Sequence, residues 1–122
     1  MPTTSANKAE IEYAVMLAVL NFQTEFMKSH YTRAQVHVVE DLIEVVLTKT
    51  TSIPAEDHLA RSAHGRTVLQ QANHALFVSG EPWLRERLEQ ALGIKVHHVL
   101  SQMDSMGGTT TIVIKLAAPL RR

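Results

Sequence analysis

Two stretches of this chain alternate apolar and polar residues with a period of two, and a longer stretch between them repeats every three to four residues. That pattern restricts the fold more than any single motif. In the first stretch Val36 and Val38 alternate with Gln35 and His37, Glu40-Asp41 marks a turn, and Ile43, Val45 and Leu47 alternate with Glu44 and Thr48. This is the signature of a β-hairpin. In the second, Ile94, Val96, His98 and Leu100 alternate, Asp104 to Gly108 supplies a turn, and Thr110, Ile112, Ile114 and Leu116 form a last strand. A lone hairpin is marginal in water. The pattern therefore predicts an α+β fold: a four-stranded antiparallel sheet from two β-hairpins with helices packed on one face, in the order α-β-β-α(α)-β-β.

The helical segments carry their own punctuation. Asn7 and Glu10 form a variant capping box, and Ile11, Ala14, Val15, Ala18, Phe22 and Phe26 then recur at helical spacing. Tyr13, Leu17, Leu20 and Met27 widen that apolar face beyond one stripe. Ser52 is placed to cap a helix with Pro54 in its first turn, and this helix is expected to end around Ala63 to Gly65, with Gly65 in the left-handed conformation. Val68, Leu69, Ala72, Ala75, Leu76, Trp83, Leu84, Leu88, Ala91 and Leu92 continue the helical pattern to Gly93, and a kink or break is expected at Gly80 and Pro82. Glu81, Glu86 and Glu89 interleave with Arg85 and Arg87, which reads as a solvated face where Glu89→Ala should do little.

Val39, Val46, Val99 and Val113 fall out of phase with the core-facing strand positions and are assigned to the opposite sheet face. One small layer cannot bury both these valines and the wide apolar surface of the first helix. The pattern thus predicts a homodimer formed by the first helix, the outer sheet face, or both.

At 122 residues the chain fits a single domain, 1–122, with an ordered core over about 8–117. Its 12 basic and 12 acidic residues balance, which lacks the electrostatic footprint of a nucleic-acid binder. With no cysteine there are no disulfides, thiolate metal sites or cysteine nucleophiles. The first residues do not form a signal peptide, and the run from Ala14 to Leu20 is too short to span a bilayer. A cytoplasmic protein without direct membrane insertion is expected.

The densest polar cluster is Glu56, Asp57, His58, Arg61, His64 and Arg66. Glu56, Arg61, His64 and Arg66 are the candidate anion or partner site. In one reading this is a solvated face with Glu56 reaching Arg66 across Gly65. In the other, Arg61 and Arg66 are donors beside a helix N-terminus, where bicarbonate or phosphate would fit. The seven histidines make a poor metal set. His58 and His64 are six apart rather than four, while His97 and His98 should point to opposite sides of a strand, leaving His37 with His97 as a cross-strand pair. No metal or cofactor is expected. Met106-Gly107-Gly108-Thr109 lacks the lysine of a P-loop, Ser62 lacks a nucleophile elbow, and no catalytic constellation emerges.

The long first helix, Glu40-Asp41 at the hairpin turn, Pro54-Ala55-Glu56 followed by Leu59-Ala60, Gly65-Arg66, the Gly93 stop and Asp104 after the next strand occur in an order that resembles the bacterial MpsC-like family. The resemblance covers roughly residues 8–117. Ile53 stands where many relatives place threonine before Pro-Ala-Glu, a departure at the usual cap. The family is named after a component of a sodium-translocating, membrane-potential-generating system. The resemblance implies a non-catalytic accessory or regulatory role beside a sodium- or bicarbonate-linked membrane transport protein, and it carries no catalytic residue onto this sequence.

Overall fold

The computed structural model describes residues 8–27, 31–49, 54–104 and 108–119. Helix α1 spans Lys8–Phe22 and runs into a π-helical turn, Gln23–Met27. Strands β1 (Arg33–Val39) and β2 (Leu42–Thr48) follow, then helices α2 (Pro54–Ala60) and α3 (Ala63–Leu92), then β3 (Val96–Asp104) and β4 (Thr109–Leu116). All neighbouring strands are antiparallel and the spatial order is β1-β2-β4-β3. The two hairpins therefore meet through their second strands, with Val45 opposite Ile112 and Ile43 opposite Ile114.

Period-two alternation places Ile43, Val45, Leu47, Ile112 and Ile114 on one sheet face, all fully buried. Helices α1 and α3 cover that face. Val15, Val19 and Phe22 come from α1, while Phe77, Leu84, Leu88 and Leu92 come from α3. Each fully buried side chain of this size stabilises the fold by about 1.5–3 kcal/mol relative to exposure. Phe22 anchors the helix contact: it stacks on Phe26 at 5.5 Å and Trp83 at 5.8 Å and meets Phe77 edge-on at 5.7 Å. Such geometry contributes about 0.5–1.5 kcal/mol per pair beyond burial.

The first hairpin turns on Glu40 and Asp41, and Glu40 adopts φ 55°, a left-handed conformation that suits a two-residue hairpin turn. Asp41 ties this turn to β4. Its carbonyl accepts the Leu116 N–H at 2.8 Å and its carboxylate receives Lys115 Nζ at 2.6 Å. The hydrogen bond from Lys115 holds the Asp41 carboxyl below the ordinary carboxylate range.

Several sequence expectations need correction. Helix α2 ends at Ala60, and α3 starts at Ala63 behind Ser62, an extended N-cap whose Oγ accepts the Gly65 N–H at 2.9 Å. Gly65 lies inside the first turn of α3 rather than in a left-handed terminator. Glycine is required there because a Cβ would overlap the Leu59 carbonyl of α2. Helix α3 also runs unbroken through Gly80 and Pro82. Burial of Phe77 before Pro82 and of Leu84 and Leu88 after it holds both halves on the sheet, which outweighs the roughly 3 kcal/mol that an internal proline costs. Gly80 admits the Phe26 ring where a Cβ would collide with it. Helix α3 does stop at Gly93, which has φ 71° and donates its N–H to the Glu89 carbonyl at 2.8 Å.

The phase of β3 differs from simple alternation. The register shifts between Val96 and His98, so Val99 turns into the core and Leu100 faces out, 64% exposed. Helix α3 braces this bulge. Arg85 Nη1 donates to the Val96 carbonyl at 2.7 Å, Glu89 Oε2 accepts the Val96 N–H at 2.8 Å, and Glu81 holds the Arg85 Nε at 2.9 Å. Glu89 is thus a half-buried backbone ligand, not part of a solvated charge pattern. Val39 lies outward as expected, Met27 belongs to the core, and Tyr13 and Leu17 are exposed. The caps assigned to Asn7 and Ser52 lie outside the described residues.

Candidate functional site

The corner between α2 and α3 gathers the polar cluster. After Ala60 the chain closes a tight turn in which Arg61 and Ser62 donate their N–H groups to the His58 and Leu59 carbonyls, both at 3.3 Å. Ser62 then starts α3: its carbonyl accepts the Arg66 N–H at 3.0 Å while its hydroxyl satisfies Gly65. Arg66 reaches back across the corner, and its Nη1 donates to the Ala60 carbonyl at 2.9 Å. That bond satisfies a carbonyl of the last turn of α2, which has no intrahelical partner of its own. The clamp across Gly65 is therefore made by Arg66 and a main-chain oxygen.

Glu56 points elsewhere. Its carboxylate meets Lys49 Nζ at 3.3 Å, linking α2 to the end of β2. The Lys49 ammonium also sits 5.4 Å from the centre of the Tyr31 ring, and the Tyr31 hydroxyl lies 2.9 Å from Thr110 Oγ1 on β4. Lys49 donates its backbone N–H to the Gly108 carbonyl at 3.0 Å. A chain of contacts thus runs from α2 through Lys49 to both central strands. Sequence reasoning missed Lys49, because no helical or strand spacing relates it to Glu56.

Arg61 and His64 project into solvent at the start of α3, and Arg66 is half-buried. The four candidate residues divide by partner: Glu56 ties α2 to Lys49, Arg66 clamps the corner, and Arg61 and His64 are exposed to an external group. An exposed arginine and imidazole beside a helix N-terminus can attract an anion at short range, weakly and with strong salt screening.

Among the described residues the histidines do not assemble a metal centre. His37 on β1 and His97 on β3 lie at opposite edges of the sheet, so the expected cross-strand pair does not exist. The bulge instead brings the rings of His97 and His98 together, centroids 4.4 Å apart, where simple alternation would have separated them. Among the described residues no group of three or more His, Asp or Glu side chains could hold a metal ion.

Open grooves flank α3. One of about 380 Å³ lies between α1 and α3, where Ala14, Leu17 and Ala18 face Trp83 and Arg87, with the Arg87 guanidinium 4.6 Å from the centre of the Trp83 ring. Two smaller ones, about 280 and 220 Å³, follow β3 and share His74 and Ser101. None of them presents the convergent acid, base and nucleophile of a hydrolytic site. Among the described residues no helix is long and apolar enough to cross a membrane.

A family model described as Na+-translocating membrane potential-generating system (MpsC) matches residues 7–118. Neither the curated proteins nor the solved structures contain a match.

Proposed function

Because the chain belongs to the MpsC family, we propose that it is a cytoplasmic, non-catalytic accessory or regulatory protein that works as a homodimer beside a sodium- or bicarbonate-linked membrane transport protein. The observation that carries this reading is the family match across nearly the whole chain. The charge-balanced surface and the lack of a convergent catalytic set at the described grooves are consistent with action through protein contacts. The chain itself conducts no ion in this reading, since no described helix spans a bilayer. Gentle affinity capture from membrane and cytosolic fractions tests it. Subunits of an ion or bicarbonate transporter should be enriched, and recovery of only transport-unrelated cytosolic proteins would refute it.

A second reading rests on the exposure of Arg61 and His64 at the start of α3: a small-anion module for bicarbonate or phosphate, with Arg66 as a third donor. Thermal shift against both anions at constant ionic strength separates the two readings. Stabilisation that is lost in Arg61→Gln favours the module, and no stabilisation at millimolar anion leaves the corner with its structural role alone.

A further inference from the structure

We propose that the homodimer is closed by helix α3 of two copies, packed antiparallel about a two-fold axis at Ala75. This deepens the homodimer of the proposed function and rests on it. Helix α3 has 30 residues and is about 45 Å long, but all of its buried residues except Gly65 lie from its midpoint at Phe77 onward. Val68, Ala72, Ala75, Ser79, Pro82 and Glu86 are all exposed and recur at alternating four- and three-residue steps. That spacing puts them on one continuous seam, the geometry of paired helices. Val68, Leu76 and Val78 are 38, 40 and 54% exposed along and beside it.

Charge identifies a second copy as the occupant. Between Arg66 and Glu81 the helix contains no Asp, Glu, Lys or Arg, although an exposed helix ordinarily carries charge on its solvent side. Antiparallel pairing about a two-fold axis lays residues 70–80 of each copy along the same uncharged segment of the other, so no like charges meet at the centre. The uncharged run is centred near Ala75, as such an axis requires. Antiparallel pairing about Ala75 sets Val68 of each copy against Pro82 of the other and His64 against Glu86, a complementary pair repeated at both ends. Ala72, Ala75 and Ser79 at the centre allow the helices to approach to the short end of the usual range, about 8 Å.

The cysteine-free sequence makes the test direct. Single-cysteine variants Ala75→Cys on the seam, Leu17→Cys on α1 and Val113→Cys on the outer sheet face are oxidised, or treated with a bis-maleimide that spans about 8 Å. Light scattering measures the mass of the unmodified protein in parallel. A dimer that cross-links through Cys only in Ala75→Cys is the expected result. A dimer that cross-links in Leu17→Cys or Val113→Cys instead overturns the α3 seam while leaving the homodimer standing. A monomer at micromolar concentration overturns both. Ala75→Glu should raise the dimer dissociation constant at least tenfold, with unchanged circular dichroism because position 75 is exposed. Unchanged dimerisation of that variant would also overturn the seam.

Discussion

Replacing Gly65 with alanine sets two opposing effects against each other, and the structure decides which prevails. Alanine in a helix is favoured over glycine by about 1 kcal/mol, so propensity alone predicts that Gly65→Ala stabilises α3. The added Cβ, however, would overlap the main-chain carbonyl of Leu59, with the Leu59 carbonyl carbon and Cα also crowding it. A backbone group cannot rotate aside as a side chain does. Relief requires α2 to move off α3 and to stretch the hydrogen bonds that Arg66 makes to Ala60 and Ser62 N–H makes to Leu59. Overpacking of this kind costs about 1–3 kcal/mol, at the upper end when main chain must move. The net expectation is a loss of about 1–2 kcal/mol, limited by the stability that docking of α2 contributes. Urea denaturation of Gly65→Ala against the parent protein measures it, and hydrogen exchange should show faster exchange of the α2 amides. Gln70→Gly against Gln70→Ala, at an exposed position of the same helix off the proposed seam, serves as the control for propensity and should lose about 1 kcal/mol. A Gly65→Ala protein as stable as the parent, or more so, would refute the close-approach argument.

Leu84→Ala removes a fully buried side chain between sheet and helices and should cost about 2–5 kcal/mol in chemical denaturation; a cost below about 1 kcal/mol would mean the core there collapses freely. Asp41→Asn removes a carboxylate that the hydrogen bond from Lys115 holds below the ordinary carboxylate range. A lowered folded pKa stabilises above the unfolded value and loses that contribution as pH falls through the folded one, so the deficit of Asp41→Asn should be present at neutral pH and narrow below about pH 4. A stability difference independent of pH from 7 to 3 would contradict this. Glu89→Ala should destabilise by about 1–3 kcal/mol, because it leaves the Val96 N–H at the bulge without its charged acceptor; Glu89→Gln should recover part of that loss in the same denaturation assay.

The residues that revealed themselves in sequence are those whose environment follows from local period alone. Ile43, Val45 and Leu47, and Ile112 and Ile114, lie where alternation puts them, and Glu40-Asp41 makes the turn it spells. What alternation could not reveal is the bulge before His98, since the brace is supplied by Arg85 and Glu89 from another element. The consequence propagated: a one-residue shift exchanged the faces expected for Val99 and Leu100. Gly65 and Pro82 were misleading for a related reason. A glycine can mark either a left-handed terminator or a close approach, and a proline breaks a helix only if packing on both sides is too weak to hold it. At the candidate site, the reach of Arg66 back across the Gly65 corner was legible from its position, but the partners of Arg66 and Glu56 were not, because the Ala60 carbonyl and Lys49 are chosen by the path of the chain.

The joining of β2 to β4 also governs the order in which this protein can assemble. Each hairpin closes over a short turn, so its contacts can form within microseconds of one another. The seam between them pairs Thr48 with Thr109 and Leu42 with Lys115, bridging everything from α2 to β3. Closing that loop carries an entropic penalty that neither hairpin repays alone, and topology of this type slows the crossing of the folding barrier. Folding speed should therefore depend on side chains at the seam, such as Val45 and Ile112, more than on the turn at Glu40. Until that seam closes, the inward strands of both hairpins present open edges and unsatisfied main-chain groups, and this is the stage at which the chain is most exposed to aggregation.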